Sequence, residues 1–507
     1  MLALRATRLS EQDLHALEGL VAAGGLRTDD RSRLSASVGA AYIDLARLRR
    51  GDAPELADAV VEPSTSGEVE SLLQWADRER VAVVPRSGGT SVVGGVDPLE
   101  NGHRAVIVAS VRRLSHPGVV RPEQRTATFE AGTLGPEVEA QLRRHGLTLG
   151  HYPQSFERSA VGGWLAALSF GQASTRYHTP ADRLVGFTIA TPRGMVRWDR
   201  GGRPPDGPDP GALVPGSEGT LGILVDATLR VELLPQATRW GAALFSTWEA
   251  GTAAVRRLVS TSPLPAVVRL SDGSETDLTL AESGWEAGGR FEFLRRILSG
   301  LLGFRSAGAR MASLLVVSYE GTPREVRLGS RFLDSVRKEY GAAKLPQSIG
   351  RAWERSRFRT PYLRDDLVEA GWFVETFETY VPWSHVAVVA RAGREAVRTW
   401  ADRRAIRAYV GAHLSHSVAE GTSLYFTVIA PQKTGEEEVA WQEFKRETAE
   451  AVVGAGGTVT HHHGIGRYHR PWVQRSWPAW RLEGLKALKA RWDPNDIMNP
   501  GKLLPEA

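Results

Sequence analysis

Residues 81–96 read VAVVPRSGGTSVVGGV, a β-branched run that leads directly into a loop rich in glycine and serine. Glycine lacks a β-carbon, so successive backbone N–H groups of such a loop can turn toward one concavity and bind a pyrophosphate. The loop lacks both the Lys-Ser/Thr ending of a Walker motif and the Gly-x-Gly-x-x-Gly of a dinucleotide fingerprint. By itself, this stretch indicates either a phosphate-binding loop or an ordinary turn.

Two further glycine-containing stretches follow this loop. Residues 151–194 read HYPQSFERSAVGGWLAALSFGQASTRYHTPADRLVGFTIATPRG, and residues 215–231 read PGSEGTLGILVDATLRV. In this order and spacing, the three stretches resemble the flavin-binding lobe of the vanillyl-alcohol oxidase superfamily. The resemblance implies an α+β, two-lobed FAD-binding fold of the PCMH type, with a cap domain built on an antiparallel sheet flanked by helices.

The same resemblance implies which residues contact FAD. In that superfamily the first loop wraps the pyrophosphate, the SAVGG turn passes near the flavin ring and the EGTLG segment closes over the adenine side. The residues expected to contact FAD are Pro85, Arg86, Ser87, Gly88, Gly89, Thr90, Ser91, Gln154, Ser155, Ser159, Ala160, Gly162, Gly163, Ala167, Ser169, Glu218, Gly219, Thr220, Gly222, Ile223 and Leu224.

The flavin is expected to be bound noncovalently. Many superfamily members tether it through a histidine, where this loop has Thr90, or through a cysteine, and this chain has no cysteine. His178 is a weaker candidate for a tether, because an ordinary surface or core histidine explains it better.

Length and composition narrow the protein class. A chain of 507 residues exceeds the roughly 250–300 that one core accommodates, which predicts more than one domain. The absence of cysteine excludes disulfides, thiolate nucleophiles and cysteine-ligated metals. We see no nucleic-acid-binding motif and no apolar run of about 20 residues, so a cytoplasmic protein that binds no nucleic acid is expected.

The pattern of elements predicts four parts. These are an N-terminal helical segment, an FAD-binding domain, a cap or substrate domain, and a tail that returns to the FAD domain. Their predicted ranges are 1–54, 55–235, 236–480 and 481–507.

The predicted cap domain carries four motifs that resemble those of alkyldihydroxyacetonephosphate synthases. They are AVVRLSD at 266–272, TPYLRDDLVEAGWFVETFETYVPWSHV at 360–386, HLSHSVAEGTSLYFTV at 413–428 and GGTVTHHHGIGRYHRPW at 456–472. Enzymes of that family exchange the acyl group of acyl-dihydroxyacetone phosphate for a fatty alcohol, with no net redox change. The flavin ring bonds transiently to the substrate carbon.

The resemblance implies the acid/base residues. Tyr425 matches the family's catalytic tyrosine, and the triplet His461, His462 and His463 is expected to shuttle protons and hold the leaving carboxylate. A free tyrosine titrates near 10, so we expect nearby arginine or imidazolium cations to lower the pKa of Tyr425.

Two arginines match the family's motifs. Arg364 is expected to bind the substrate phosphate as a guanidinium fork. Arg269 matches an arginine on which the family's activity depends, although an ion pair with an acid such as Asp272 would explain it without function. Glu375 and Glu378 are assigned a structural role.

The histidine triplet could also be a metal site. Neighbouring side chains of an extended segment point to opposite faces, so the three imidazoles are not expected to converge on one ion. We therefore predict no metal, although two of the three histidines could still share one.

The substrates implied are a lipid-like phosphate ester and a fatty alcohol. The segment 291–304, with its apolar residues on one helical side, could line an acyl tunnel, lie on a bilayer or be a core helix. A homodimer is expected.

Two other functions remain open at this stage. One is an FAD-dependent oxidase or dehydrogenase of a D-2-hydroxy acid such as lactate or glycolate, which would share the flavin lobe. The other is a binding or membrane-associated module that has kept the flavin fold and lost catalysis.

Overall fold

The computed structural model describes residues 4–52, 55–200, 209–277 and 312–504. Its helices are α1 Glu11–Leu20, α2 Asp30–Ala36, α3 Tyr42–Arg50, α4 Ser66–Glu79, α5 Gly135–Arg143, α6 Val161–Ala166, α7 Ser174–Tyr177, α8 Trp248–Val259, α9 Pro323–Glu339, α10 Gln347–Ser356, α11 Leu363–Glu369, α12 Val386–Arg403, α13 Glu437–Gly454, α14 Arg470–Ser476 and α15 Ala479–Trp492.

The strands form four sheets, whose orders are β1-β2-β4-β3, β5-β6-β10-β8-β9, β11-β7 and β15-β12-β14-β13-β17-β18-β16. Their bounds are β1 Leu26–Arg27, β2 Ala59–Val61, β3 Val81–Arg86, β4 Ala105–Ser110, β5 Val119–Arg121, β6 Thr126–Glu130, β7 Leu147–Thr148, β8 Leu184–Thr191, β9 Gly194–Asp199, β10 Ile223–Arg230, β11 Glu232–Leu233, β12 Ala237–Phe245, β13 Val267–Ser271, β14 Ser313–Gly321, β15 Ala343–Leu345, β16 Trp372–Pro382, β17 Tyr409–Ser415 and β18 Gly421–Pro431.

The first lobe begins with a parallel β-α-β unit. Strands β2, β4 and β3 run parallel, and α4 connects β2 to β3. The side chain of Thr65 accepts the Glu68 N–H and caps α4, whose residues Val69, Leu72 and Ala76 are buried at helical spacing. This unit places the glycine-rich loop at the carboxyl end of β3.

The antiparallel sheet β5-β6-β10-β8-β9 completes this lobe. It packs on the first sheet through one apolar core that includes Ile107, Phe129 and Ile189. Helix α6 begins within the SAVGG stretch, at Val161, and packs against β10 and β6. The second and third glycine-containing stretches therefore reach the same side of the lobe as the first.

The C-terminal tail contacts the edge of β3. The Val83 N–H donates to the Ile497 carbonyl at 2.8 Å, and the Asn499 N–H donates to the Val83 carbonyl at 2.8 Å. These bonds cover backbone groups that an edge strand would otherwise expose.

The second lobe is built on the seven-stranded antiparallel sheet. One face packs under α12 and α13, where Phe373, Phe426 and Phe444 are buried. Side chains alternate between the two faces of a strand. The residues next to Phe373 on β16 and next to Phe426 on β18 therefore point to the opposite face, toward the first lobe.

The N-terminal segment contacts both lobes. Arg5 and Arg8 pair with Asp58 at 2.7 Å in the first lobe, and Arg47 of α3 pairs with Glu438 of α13 at 2.7 Å. These ion pairs fix the position of the N-terminal segment relative to the two lobes.

The fold class predicted from the sequence is confirmed: an α+β, two-lobed FAD-binding fold with a cap on an antiparallel sheet flanked by helices. Within the described residues, no helix is both long and apolar enough to span a membrane. The proposed tunnel or membrane segment 291–304 lies outside the described residues.

Candidate active site

A cavity of about 660 Å³ opens between the two lobes. Its volume lies within the roughly 300–1,000 Å³ typical of cofactor sites. The three glycine-containing stretches of the first lobe form one wall, and the inner face of the seven-stranded sheet forms the other. The fold thus places the predicted cofactor residues opposite the predicted catalytic residues.

All but one of the predicted FAD-contacting residues line this cavity. The exception is Thr220, which is 3% exposed and whose hydroxyl donates to the Ser217 carbonyl at 2.7 Å. Thr220 therefore lies outside the cavity lining, because its side chain closes its own turn.

The glycine-rich loop fits a pyrophosphate. A Cβ on Gly88 would lie 2.1 Å from the Arg158 carbonyl oxygen, and a Cβ on Gly163 would lie 2.8 Å from Ser87 Oγ. The loop therefore packs this closely only because these positions are glycine. At Gly88 and Gly89 the loop exposes backbone without a side chain, to which a phosphate can approach closely.

Arg86 supplies positive charge at this loop. Its guanidinium donates to the carbonyls of Ser35 and Val38 at 3.1 and 3.2 Å, and burial lowers its pKa. Its Nε is buried without a hydrogen-bond partner, and within the described residues no carboxylate forms an ion pair with it. A buried cation of this kind is stabilised by an anionic ligand such as a diphosphate.

Thr90 and His178 are the two positions at which the sequence raised the question of a covalent tether. Thr90 lines the cavity at the position where a tethering histidine would stand. His178 is exposed and does not belong to the cavity lining. Among the described residues, the lining histidines all lie on the cap side or in the triplet loop.

The register of the strands places several predicted site residues on one face of the seven-stranded sheet. Tyr425 of β18 lies opposite Glu378 of β16 and opposite His413 of β17, so the three side chains share one face of the sheet. Ser271 of β13 pairs with His413, and Arg269 follows on the same face two residues earlier. The imidazole of His413 stacks on the Tyr425 ring, with centroids 4.9 Å apart.

Arg269 is paired, although not with the expected partner. Its Nη2 lies 2.6 Å from Glu275 Oε1, whereas Asp272 pairs with Arg394 at 2.7 Å. Arg269 is therefore paired to an acid, as the alternative reading had it, with Glu275 in place of Asp272. The turn after β13 places Glu275 beneath the inner face of the sheet, where His413 Nδ1 also contacts it at 3.0 Å.

Glu378 organises the histidine triplet. Its Oε2 accepts the backbone N–H of His461 at 2.6 Å, and its Oε1 accepts the N–H groups of His462 and His463 at 3.1 and 3.0 Å. Thr460 Oγ1 donates to the same carboxylate at 2.6 Å. The structural role assigned to Glu378 thus consists of holding the histidine loop.

Glu375 lies on the other face of the same strand. Its Oε2 accepts the indole N–H of Trp441 at 2.5 Å beneath α13. The two glutamates are three residues apart, so strand alternation separates them.

The triplet is not extended. It follows a series of bends, and His462 and His463 line the cavity while His461 packs on Phe170 with ring centroids 4.0 Å apart. The ring centroids of His462 and His463 lie 5.9 and 5.6 Å from that of Tyr425. The structure therefore brings two of the three predicted histidines to the cavity, together with Tyr425.

The segment is therefore not extended as the argument against a metal assumed, although only two of the three histidines come together, as the alternative allowed. Potential ligand atoms of Glu378, His461 and His462 all lie within 4.8 Å of one another. Both oxygens of Glu378 already accept hydrogen bonds, four donors in all. An ion would have to displace the hydrogen bonds that fix the loop, so the geometry favours a loop anchor.

The expected lowering of the Tyr425 pKa is also wrong. Burial raises its pKa to about 12, and the carboxylates of Glu378 and Glu375 add to this. The imidazoles supply no positive charge, because burial lowers the pKa of His461 to about 3 and that of His462 well below its usual value. Tyr425 therefore carries its proton at neutral pH.

A second carboxylate holds the other end of the loop. Glu218 accepts the N–H groups of Ile465 and Gly466 at 2.5 and 2.6 Å. Burial raises the pKa of Glu218 to about 7, although these two hydrogen bonds oppose the shift. Glu218 lines the cofactor cavity, as predicted, and in addition joins the first lobe to the histidine loop.

Arg364 lines the cavity from the start of α11. Its guanidinium donates to the Ala40 carbonyl, and its Nη2 lies 3.0 Å from Asp365 Oδ1. These contacts hold the guanidinium at the cavity wall.

Sequence reasoning missed several lining residues, chiefly His413, His416, Glu275 and Arg357. The guanidinium of Arg357 lies over the rings of Phe358 and Tyr152, 4.7 and 5.1 Å from their centroids. The two histidines belong to the stretch HLSHS, at the end of the strand β17 that pairs with the strand of Tyr425. The spacing of polar residues in this stretch was the available signal for them.

The sequence matches two protein families and is similar to several known proteins. The protein family described as FAD binding domain matches residues 57–199, and that described as FAD linked oxidases, C-terminal domain, matches residues 234–503. An alkyldihydroxyacetonephosphate synthase of Dictyostelium discoideum is 31% identical over 483 residues, which covers 95% of this chain and 78% of the relative. The glycolate oxidase subunit GlcD of Bacillus subtilis is 23% identical over 453 residues, which covers 88% of this chain and 89% of the relative.

The likeness extends to solved structures. A structure of an alkyldihydroxyacetonephosphate synthase superposes with a TM-score of 0.82 and 27% identity. The match covers 99% of this chain and 88% of that one.

Proposed function

Because this chain belongs to the family of FAD-dependent alkyldihydroxyacetonephosphate synthases, we propose that it exchanges the acyl group of an acyl-dihydroxyacetone phosphate for a long-chain alcohol. The family membership predicted from the cap motifs is confirmed, and FAD is the cofactor. The relatives that act on glycolate or D-lactate are more distant.

The proposal is carried by the arrangement around Tyr425. One cavity contains the glycine loop for the cofactor, the phenol, two imidazoles of the triplet and Arg364. A redox-neutral exchange needs proton transfers and an anion site, which these residues supply. When bound, FAD supplies a reactive ring nitrogen that can bond to the carbon that carries the ester.

The cofactor would be held by the first lobe. The backbone between Ser87 and Ser91, with the Arg86 guanidinium, would bind the diphosphate. The SAVGG turn and the EGTLG segment would contact the rest of the molecule, and no covalent tether is proposed.

The substrate phosphate would bind Arg364, and the hydrocarbon chain would lie along the apolar part of the cavity. This part is lined by Leu45, Leu363, Leu367, Val374 and Ile429. A bound hydrocarbon chain would displace water from this part of the cavity, which would strengthen the polar interactions beside it.

Tyr425 would begin the cycle with its phenolic proton in place. A proton removed from the substrate carbon must reach a neutral base, and the neutral imidazoles of His462 and His463 lie beside the phenol. We propose that the phenol and these imidazoles exchange protons with the substrate, and that His462 and His463 contact the departing carboxylate. Arg269, fixed by Glu275, would complete this wall.

The decisive experiment uses purified protein with its bound flavin. Incubation with palmitoyl-dihydroxyacetone phosphate and labelled hexadecanol should give labelled ether product and free palmitate in equal amounts, with the flavin returned to its oxidised form at the end of the reaction. Anaerobic bleaching of the flavin by D-lactate or glycolate, with no ether formed, would contradict the proposal. Protein that binds no flavin would favour a module without catalysis.

Assembly and location remain predictions from the sequence. These are a cytoplasmic location, a homodimer, and a peripheral membrane contact through residues 291–304, which lie outside the described residues.

A further inference from the structure

The half-buried Arg269 and the buried Glu275 and His413 form a chain of contacts at the cavity wall, and no role has been assigned to its last member, His413. Arg269 Nη2 lies 2.6 Å from Glu275 Oε1, and the same oxygen lies 3.0 Å from His413 Nδ1. Glu275 and His413 are 6% and 3% exposed. All three residues line the cavity.

This geometry fixes the tautomer of His413. Burial alone would raise the pKa of Glu275, but Arg269 and His413 outweigh it and hold the pKa at about 2. An ionised carboxylate only accepts hydrogen bonds, so the proton of the imidazole must sit on Nδ1. Nε2 then carries a lone pair.

The second ring nitrogen is available to a ligand. Across the part of the chain that the structure describes, Nε2 of His413 makes no hydrogen bond, and it is not among the buried atoms without a partner. Burial lowers the pKa of His413, and the nearby Arg269 adds to this, so the imidazole is neutral and able to accept a proton at neutral pH.

The imidazoles of the triplet are held less well for this task. Nδ1 of His462 and Nδ1 of His463 lie 3.6 and 3.7 Å from the Glu378 oxygens, beyond hydrogen-bond distance. Nδ1 of His462 instead lies 3.0 Å from Nδ1 of His461. Among the described histidines that line the cavity, His413 both contacts a carboxylate at hydrogen-bond distance and stacks on Tyr425.

We propose that His413 is the general base that takes the hydroxyl proton of the incoming alcohol, with Glu275 and Arg269 as the residues that position it. The inference rests on the proposed function. The departing carboxylate keeps the electron pair of the broken ester C–O bond. The alcohol O–H bond then breaks, its proton moves to Nε2, and its electron pair forms the ether C–O bond.

The proton balance closes without another reactant. Each turnover converts an ester and an alcohol into an ether, a carboxylate and one proton. His413 passes that proton to solvent and returns to the neutral state.

The test separates release of the acid from attack of the alcohol. In His413→Asn, the side-chain amide can still donate to Glu275 but cannot accept the proton as imidazole does. In the FAD-loaded variant, a single turnover without alcohol should release labelled palmitate within about twofold of the wild-type rate. Ether formation with hexadecanol should fall about 10²- to 10⁴-fold.

The acidity of the alcohol distinguishes a base from a positioning residue. A hexadecanol fluorinated at the carbon next to the alcohol carbon needs less help to lose its proton. The loss in His413→Asn should therefore be at least about tenfold smaller with this alcohol. Glu275→Gln is a second variant in case the substitution of His413 disturbs folding, and it should show a smaller loss with the same dependence on alcohol acidity.

Equal losses of acid release and ether formation, or equal losses with the two alcohols, would overturn the assignment. Wild-type protein that forms no ether with either alcohol would instead refute the proposed function, and this inference with it. The two failures are therefore distinguishable.

Discussion

The backbone N–H of His461 donates to Glu378 Oε2 at 2.6 Å, from a loop that lies 83 residues further along the chain. The same carboxylate accepts the two following N–H groups, so a single side chain of β16 fixes the histidine triplet. An N–H group left without an acceptor costs roughly 1–3 kcal/mol.

Glu378→Gln should therefore destabilise the loop. The amide nitrogen would face N–H donors in place of one carboxylate oxygen, so at least one donor loses its acceptor. We expect the free energy of unfolding to fall by roughly 1–3 kcal/mol and turnover to fall with flavin still bound. Denaturant titration, flavin content and ether formation measure the three quantities.

Glu375→Gln is the matched control. This residue lies on the opposite face of the same strand, and its amide oxygen can still accept the Trp441 N–H. Turnover in this variant should stay within a few-fold of the wild type. Equal losses in the two variants would argue against a specific role of Glu378.

Glu218 should make stability depend on pH. Its carboxyl has a raised pKa, about 7 in the folded protein against 4.5 ordinarily, so the folded state binds more protons between these values. The contribution of Glu218 to stability is full below about pH 4.5 and is lost as the pH rises to about 7. The difference in unfolding free energy between wild type and Glu218→Gln should decline across this window and then stay constant. A difference that grows with pH would show that the sign is wrong.

Tyr425→Phe should retain FAD and lose turnover. The variant keeps the buried ring but removes the proton that the phenol carries, so we expect a fall of about 10²- to 10⁴-fold in ether formation. Because the pKa of Tyr425 is raised to about 12, the wild-type minus variant ultraviolet titration should show no tyrosinate below about pH 10. Tyrosinate at neutral pH would instead indicate the lowered pKa expected from the sequence.

Arg364→Lys tests recognition of the phosphate. Lysine keeps the charge but loses the planar fork, so the KM for the acyl substrate should rise by about tenfold or more while that for the alcohol changes little. Arg359→Lys, an exposed arginine of the same segment, is the matched control and should leave both KM values unchanged. A rise in the KM for the alcohol alone would place the phosphate elsewhere.

Gly88→Ala should impair flavin loading. A Cβ at this position would lie 2.1 Å from the Arg158 carbonyl oxygen, a backbone atom that cannot move without moving the loop. The flavin-to-protein ratio after purification should fall strongly. Gly67→Ala, where no atom lies within 4 Å of the added Cβ, should bind flavin as the wild type does.

The predicted noncovalent binding of FAD can be checked separately. In denatured wild-type protein, all flavin should separate from the polypeptide.

The sequence alone determined the cofactor lobe. The pyrophosphate loop, the SAVGG turn and the EGTLG segment are local patterns, because the need for glycine arises from backbone conformation and close approach within a few residues. Nearly all residues predicted there line the cavity. The motifs around Tyr425, Arg364 and the triplet were equally readable, since each resemblance lies in a continuous stretch.

Only the tertiary structure decided how these motifs combine. Cross-strand register places His413 beside Tyr425, and a contact across 138 residues joins His413 to Glu275. Burial, which depends on the whole packed structure, raises the pKa of Tyr425 and keeps the histidines neutral. Local sequence preferences act over a few residues, whereas register, burial and long-range charge pairing are fixed only when the two lobes pack together.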